Sequence, residues 1–560
     1  MAHHCGNHLA TLDPLSFNVR SAADARNPDI HHSRRHMLKV HTFRQLLLQA
    51  HESFGERTFL LDDGRLGRVT YTDVLLFARG LEQQLDALGI QRGARVAMVL
   101  HNCGLAALLF LAVIASRRVL IPLNPLSTQD ELEDMLVRSD CAAVIGDPRH
   151  SRAHTYGATR QILISDHRRY IVERCAVCDH MYTCPDAAGD TTTFVGEIVF
   201  TSGSTGRPKG IVLSEHSLIA NSQALAEVYG LGSEDRFLTV CPLFHNSGQM
   251  LTTLACALVG GSTAAVKSDV GMLNFWAYVD RYRANWSLGM TSFLALLLSR
   301  SGAPQQPTSL RGLLTGGSTI DASLIRRFES KFGVPVRTVY GLTETSSIST
   351  CEYADPNPRS LGSSGRPLSI CDVRIGSEPR VIEPPYTPTP YERGEIWISG
   401  PTLFDSYVGD PELTRSRKHG GWLQTGDLGY FDENGNLFVV DRLDSMLIVG
   451  GENVYPAEIE KLCTSLPGAS EIVLAGIDQP IWGKELVLVY RAEEGIIPSI
   501  GEWHRTLSGL LSAAKLPQRY FSLRELGLVD FPRKQNGKLD RQVIAALVKA
   551  KVSDAHGSAM

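Results

Sequence analysis

Phe200-Thr-Ser-Gly-Ser-Thr-Gly-Arg-Pro-Lys-Gly210 follows the apolar run Glu197–Phe200 and places four hydroxyl side chains, three glycines and Lys209 within the ten residues from Thr201. Backbone N–H groups approach an anion closely where glycine removes the side chain. Hydroxyls add donors and a lysine adds a point charge. The pattern therefore reads as a strand that opens into a polyphosphate-binding loop, with Thr201, Ser202, Gly203, Ser204, Thr205, Gly206 and Lys209 as its contacts. It contains neither GxxxxGK[ST] nor GxGxxG, so the two commonest nucleotide-binding turns do not account for it.

Outward from this loop the chain alternates strand-like and helix-like segments. Phe43–Glu52 has helical spacing, Arg95–Leu100 reads as a buried strand and Gly104–Ala115 as a buried helix. Val119–Pro122, Glu131–Ser139 and Ala142–Gly146 repeat the alternation, which implies α/β layers. The pattern loosens over Arg149–Thr193, read as a surface connection, and resumes as a strand at Gly394–Ile398 after the proline-rich Glu383–Pro390. Beyond Asp441 the texture shifts to short strands and helices. The fold expected is a large multi-subdomain α/β domain over residues 42–443 and a small α+β domain over 444–560, preceded by an extension, 1–41, read as mobile.

Composition narrows the function classes. At 560 residues, with 55 basic and 59 acidic side chains and no long run of either sign, the chain lacks the footprint of a nucleic-acid binder. The apolar run Leu105–Ala115 is too short to span a bilayer, and the first forty residues lack a signal-peptide core. Eleven scattered cysteines fit reduced thiols, hence a cytoplasmic expectation. Cys175, Cys178, His180 and Cys184 have a spacing that zinc can use, but the flanks offer no second ligand pair, which weighs against the metal.

With its spacing, the loop resembles the signature of the acyl-adenylate-forming superfamily, which includes acyl-CoA synthetases, adenylation domains of peptide synthetases and firefly luciferase. Further segments match in the family's order, over about Phe43–Leu547. Tyr340-Gly341-Leu342-Thr343-Glu344-Thr345 resembles YGxTE, which implies Thr343 near the phosphates and Glu344 on Mg²⁺. Thr315-Gly316-Gly317-Ser318 resembles the strand end beside adenine and the acyl group. Thr425-Gly426-Asp427 resembles TGD, implying Asp427 on the ribose hydroxyls, with Arg442 a second ribose or phosphate contact. Asp444 falls at the hinge, where the next position, often acidic in relatives, is Ser445. Gly450 and Gly451 match the loop that lines the pantetheine passage. Pro532-Arg533-Lys534-Gln535-Asn536-Gly537-Lys538 matches PRxxxGK, making Lys538 the catalytic lysine of the first half-reaction.

The resemblance implies two steps. The carboxylate of an acid attacks the α-phosphorus of ATP, with Glu344 on the metal, Lys209 on departing pyrophosphate and Lys538 on the bridging oxygens. A thiol then attacks the acyl-adenylate after the small domain turns about Asp444. CoA is the expected acceptor, because no carrier domain follows Lys538. A separate carrier protein's phosphopantetheine is the alternative, and a luciferase-like oxygenase a more distant one. Pro242-Leu243-Phe244-His245-Asn246-Ser247-Gly248 resembles the PLFHxxG bordering the acyl channel, so His245, Asn246, Ser247 and Gly248 join Thr315, Gly316 and Gly341 around the substrate. No aspartate stands there to pair an α-ammonium, which favours a fatty or aryl acid. Trp286–Ser292, WSLGMTS, departs from the relatives' Val-Pro and leaves the pocket shape open.

Overall fold

The structure is a computed structural model. It describes residues 37–62, 64, 66–146, 160–163, 194–201, 208–299, 308–317, 321–353, 359–377, 379, 386–449, 452–464, 466–479, 483–533 and 539–557. The expected extension, except its last five residues, the four residues of the zinc spacing, Ser202–Gly206, Ser318, Gly450, Gly451 and Lys538 lie outside the described residues.

The helix Gly104–Ala115 explains the layering. Its sequence, GLAALLFLAVIA, has no polar face, and all twelve residues are buried. A helix apolar all round needs cover on every side. Here one flank packs on the strands Arg95–Val99 and Val119–Leu123, another on Thr58–Asp62 and Ser262–Ala265, and the helix Tyr71–Ala87 lies alongside. The first pair of strands belongs to a seven-stranded sheet and the second to a nine-stranded one, so helices fill the space between two sheets. Thr70 and Asp73 cap Tyr71–Ala87 reciprocally, and Thr128 and Glu131 do the same for Gln129–Arg138, fixing where each helix starts.

The seven-stranded sheet runs in the order Ser406–Tyr407, Lys209–Ser214, Val195–Thr201, Val119–Leu123, Arg95–Val99, Cys141–Gly146, Arg160–Leu163. Arg160–Leu163, inside the stretch read as a surface connection, is in fact a parallel edge strand, with Ile145 opposite Ile162. In the nine-stranded sheet, Thr58–Asp62, Ser262–Ala265, Arg236–Thr239, Trp286–Met290, Gly312–Gly316 and Val336–Tyr340 are mutually parallel neighbours. Their carboxyl ends open along one edge, the usual ligand side of such sheets.

A third sheet holds Asp372–Ile375, Gly394–Ser399, Trp422–Phe431, Lys418–His419 and Leu437–Arg442. After the turn Leu443–Ser445 come a hairpin, Leu447–Val449 with Glu452–Val454, and a three-stranded sheet flanked by Pro456–Cys463, Ile500–Ser508 and Arg541–Gly557. The strands there correct the reading of short elements: Ala469–Gln479 and Gly483–Ala492 form an antiparallel ribbon of eleven and ten residues. Two apolar clusters around Trp503 and Val487 draw only on residues from Leu447 onward.

Candidate active site

The strand Val195–Thr201 delivers Thr201 to the phosphate loop, and Lys209 begins the antiparallel return strand, with Thr201 paired to Lys209. That return strand also pairs with Ser406–Tyr407, Tyr407 opposite Ile211, and packs on the turn Thr343–Thr345. Two pairings thus bring Lys209, Tyr407 and Glu344 together. The Tyr407 hydroxyl donates to Glu344 Oε1 at 2.8 Å, and Lys209 Nζ sits 5.9 Å from the Tyr407 ring centroid. Burial, then the Glu344 carboxylate, push the Tyr407 phenol well above its ordinary range, so it stays a donor.

Thr343–Thr345 is a single 3₁₀ turn closed by Ser346 and Ser347, with φ of 56° and 126°. Left-handed backbone at two consecutive non-glycine residues is costly and persists only where the surroundings impose it. Here Ser346 Oγ donates to Thr402 O at 2.8 Å and Ser347 N to Leu342 O at 3.2 Å. The Glu344 carbonyl accepts from Phe404 N at 2.8 Å. The turn holds Glu344 at the carboxyl end of Val336–Tyr340, half-buried.

Gly341 and Gly316 are required by close approach. A Cβ on Gly341 would stand 2.1 Å from Ser347 O, and one on Gly316 would stand 2.4 Å from Val339 O. Gly317 has φ +82°, which releases the chain from the strand Gly312–Gly316. Thr315 is fully buried in that strand, and its hydroxyl has no hydrogen-bond partner.

Thr425-Gly426-Asp427 does not end a strand. It lies inside Trp422–Phe431 at a bulge, where the register against Gly394–Ser399 shifts between Glu395 and Trp397 and Gly426 takes φ +74°. The bulge turns Asp427 toward Tyr340, whose hydroxyl donates to Asp427 Oδ2 at 2.7 Å. Arg442, opposite Asp427 on the neighbouring strand, lies 3.2 Å from Asp427 Oδ1 and 3.3 Å from Asp444 Oδ1. Removal from water and the Asp427 charge push the Tyr340 phenol well up.

His245 precedes the four-residue helix Asn246–Gln249 at its N-cap position, and its ring lies tilted against Phe244 at 4.6 Å between centroids. Asn246 is buried and its amide reaches toward Thr343 O at 3.5 Å, tying this segment to the Glu344 turn. Ser247 Oγ lies 3.8 Å from Cys241 Sγ, and a Cβ on Gly248 would meet Pro242 O at 2.8 Å. A π-helical turn, Met250–Leu254, follows directly, a feature often found beside functional sites.

The structure brings together Thr201, Lys209, Tyr340, Gly341, Thr343, Glu344, Asn246, Asp427, Arg442 and Asp444. Sequence reading missed Tyr407, which joins Lys209 to Glu344, and Asn221, whose amide donates to Ile348 O at 2.6 Å behind the turn. Neither stands in a motif quoted above. Among the described residues no cluster of metal-ligating side chains occurs and no helix is long and apolar enough to cross a membrane. Glu344 nonetheless fits a magnesium contact: with Oε1 engaged by Tyr407, its half-buried carboxylate keeps Oε2 for a hard cation.

Residues 47–408 match the family model described as AMP-binding enzyme. The chain is 29% identical to 2-succinylbenzoate--CoA ligase of Bacillus subtilis, over 88% of this chain and 96% of that protein. It is 28% identical to the long-chain-fatty-acid--CoA ligase FadD13 of Mycobacterium tuberculosis, over 87% and 94%. The o-succinylbenzoate CoA synthetase MenE of Bacillus subtilis, solved with the acyl-adenylate OSB-AMP, superposes with a TM-score of 0.74 at 25% identity, covering 89% of this chain and 97% of that one. Its structure with ATP and magnesium ion also gives 0.74, at 26% identity over 89% and 98%. With the return strand from the phosphate loop, the Glu344 turn and the Asp427 bulge meeting around the carboxyl end of Val336–Tyr340, and the family model spanning all but the last of these, the chain belongs to the AMP-binding enzyme family.

Proposed function

We propose that this protein is an AMP-forming acid–thiol ligase that activates a carboxylic acid with ATP and passes the acyl group to CoA. The observation that carries the reading is the convergence of Lys209, Tyr407 and Glu344 with Tyr340, Asp427 and Arg442 around the carboxyl end of the parallel strand Val336–Tyr340. Asp427 presents a carboxylate to the ribose hydroxyls, and Arg442 holds it there. Lys209 takes the leaving pyrophosphate, with Thr201, Ser202, Gly203, Ser204, Thr205 and Gly206 around the phosphates and Thr343 beside them. Glu344 would hold Mg²⁺, which would supply charge neutralisation on the phosphates. Gly316, Gly317, Ser318, Tyr340 and Gly341 are assigned to the adenine side, where the absence of a Cβ at the glycines suits close approach of a flat ring.

In the first step an oxygen of the substrate carboxylate bonds to the α-phosphorus, and the bond from that phosphorus to the β-bridging oxygen breaks. Pyrophosphate leaves with the electron pair. In the second step the thiol loses its proton to solvent, its sulfur bonds to the acyl carbon, the bond from that carbon to the AMP phosphate oxygen breaks, and AMP leaves with the electron pair. Lys538 serves the first step, and Gly450 and Gly451 flank the thiol's approach in the second, after the 444–560 domain has turned about Asp444. The two apolar clusters confined to residues beyond Leu443 support that division.

The acid is fatty or aryl. Cys241–Gln249 contains no carboxylate that would pair an α-ammonium, and the relatives named above act on 2-succinylbenzoate and long-chain fatty acids. The seven free cysteines among the described residues accord with a cytoplasmic protein.

Acid-dependent ATP–pyrophosphate exchange, screened across fatty, aryl and hydroxy acids, tests the first step. CoA-dependent AMP release, set against a phosphopantetheinylated carrier protein, tests the acceptor. Exchange with none of the acids would sink the reading. Lys538→Ala is expected to abolish exchange while thioester formation from supplied acyl-adenylate survives, and equal loss of both would remove the assigned role.

A further inference from the structure

Arg417 ends the short helix Pro411–Arg417 and is half-buried. Its guanidinium nitrogens Nη1 and Nη2 lie 3.0 and 3.3 Å from the point where a Cβ on Gly426 would stand, and Arg442 Nη2 lies 3.4 Å from the same point. Two cations thus converge over the backbone of the Thr425–Asp427 bulge. Arg442 is neutralised there by Asp427 and Asp444. Arg417 has no such partner, since no described carboxylate makes an ion pair with it. Its other neighbour is the Tyr407 phenol, whose hydroxyl donates to Glu344 and whose ring lies near Lys209.

A half-buried guanidinium beside a second cation, with no counter-charge, is unfavourable unless an anion completes the group. Guanidinium suits that task because its donors match two phosphate oxygens at once. The ribose side is already served by Asp427 and Arg442. Arg417, through Tyr407, belongs with Glu344 and Lys209.

We propose that Arg417 binds the β- and γ-phosphates of ATP and stays with pyrophosphate as it leaves. The inference rests on the adenylation reading above and adds a second fixed cation beside Lys209 on the departing phosphates. As the bond from the α-phosphorus to the β-bridging oxygen breaks, negative charge accumulates on pyrophosphate. A cation already seated there lowers the cost of that charge without reorganisation.

Calorimetric titration of the full chain with MgATP, magnesium pyrophosphate and AMP tests this in wild type, Arg417→Ala and Arg417→Lys. Arg417→Ala is expected to weaken ATP and pyrophosphate by about tenfold or more, the scale of a charge-assisted contact, and to leave AMP within about twofold. Arg417→Lys is expected to recover part of the loss, since it restores the charge but not the fork. Unchanged ATP and pyrophosphate binding in Arg417→Ala overturns the proposal. So does an equal loss of AMP binding, which would mark Arg417 as a support for the Gly426 backbone. If Arg417→Ala does not fold, Arg417→Lys decides: ATP and pyrophosphate bound as in wild type, or AMP weakened as much as they are, overturns the proposal equally. A wild-type protein that neither binds ATP nor catalyses acid-dependent exchange fails the adenylation reading itself. A wild type that does both beside an unaffected Arg417→Ala fails only this inference.

Discussion

Glu197 stands on the strand that feeds the phosphate loop, fully buried, and neither carboxylate oxygen has a hydrogen-bond partner. Burial pushes it up from 4.5 to about 8, opposed only by the neighbouring Gln249 amide. Its folded value therefore exceeds its unfolded one. The contribution to stability is complete below about 4.5 and is lost as pH rises through about 8, at roughly 1.4 kcal/mol per unit as an upper bound. Glu197→Gln is expected to flatten this slope, melting near wild type at pH ~5 and above it at pH ~8. Thermal midpoints across that range check it, and parallel curves for the two proteins would refute it. At this scale Glu344, Asp427 and Arg442 were legible because each sits in a spaced motif. Tyr407 and Arg417 were not: Tyr407 sits on a two-residue strand, Ser406–Tyr407, and Arg417 on a seven-residue helix, Pro411–Arg417, both too short to show a clear periodicity.

Elements show the same division. Gly104–Ala115 and Arg95–Val99 were readable as continuous apolar runs whose burial demands regular structure. Arg160–Leu163 was not, since four residues at the edge of a sheet carry little pattern against polar flanks. The bulge at Gly426 was equally hidden, because TGD looks the same in a turn and in a strand. Glycine substitutions separate close approach from backbone freedom. Gly316→Ala drives a Cβ into Val339 O of the adjacent strand, with an expected loss of about 1–3 kcal/mol and of adenylation. Gly317→Ala meets open space and only a strained φ of +82°, for about 1 kcal/mol. Thermal melting beside exchange assays ranks the two, and equal effects would contradict the strand contact.

Across the molecule, the segment around Leu443 joins two sets of contacts. Asp441 Oδ2 accepts from Ala457 N at 2.9 Å, anchoring the helix Pro456–Cys463, and Arg393 pairs with Glu458 at 2.6 Å. The Arg393–Glu458 pair is exposed on the Arg393 side, so screening limits it to less than about 1 kcal/mol. It is too weak to block the rotation proposed for the 444–560 domain. Arg393→Ala is expected to leave both half-reactions within about twofold of wild type. A selective change in the thioester step would show instead that this pair governs the rotation.

The nine-stranded sheet also dictates an order of events during synthesis. Leu60 pairs with Thr263, so the N-terminal hairpin Thr58–Thr70 leaves the ribosome about 200 residues before its parallel neighbour exists. At elongation rates of roughly 5–20 residues per second, that is an interval of about 10–40 seconds. For most of it, the helix Gly104–Ala115 lacks Ser262–Ala265, one of the strands that cover it in the folded protein. Nascent chains stalled before Ser262 should therefore recruit chaperones, and slowing translation should lengthen that dependence rather than relieve it.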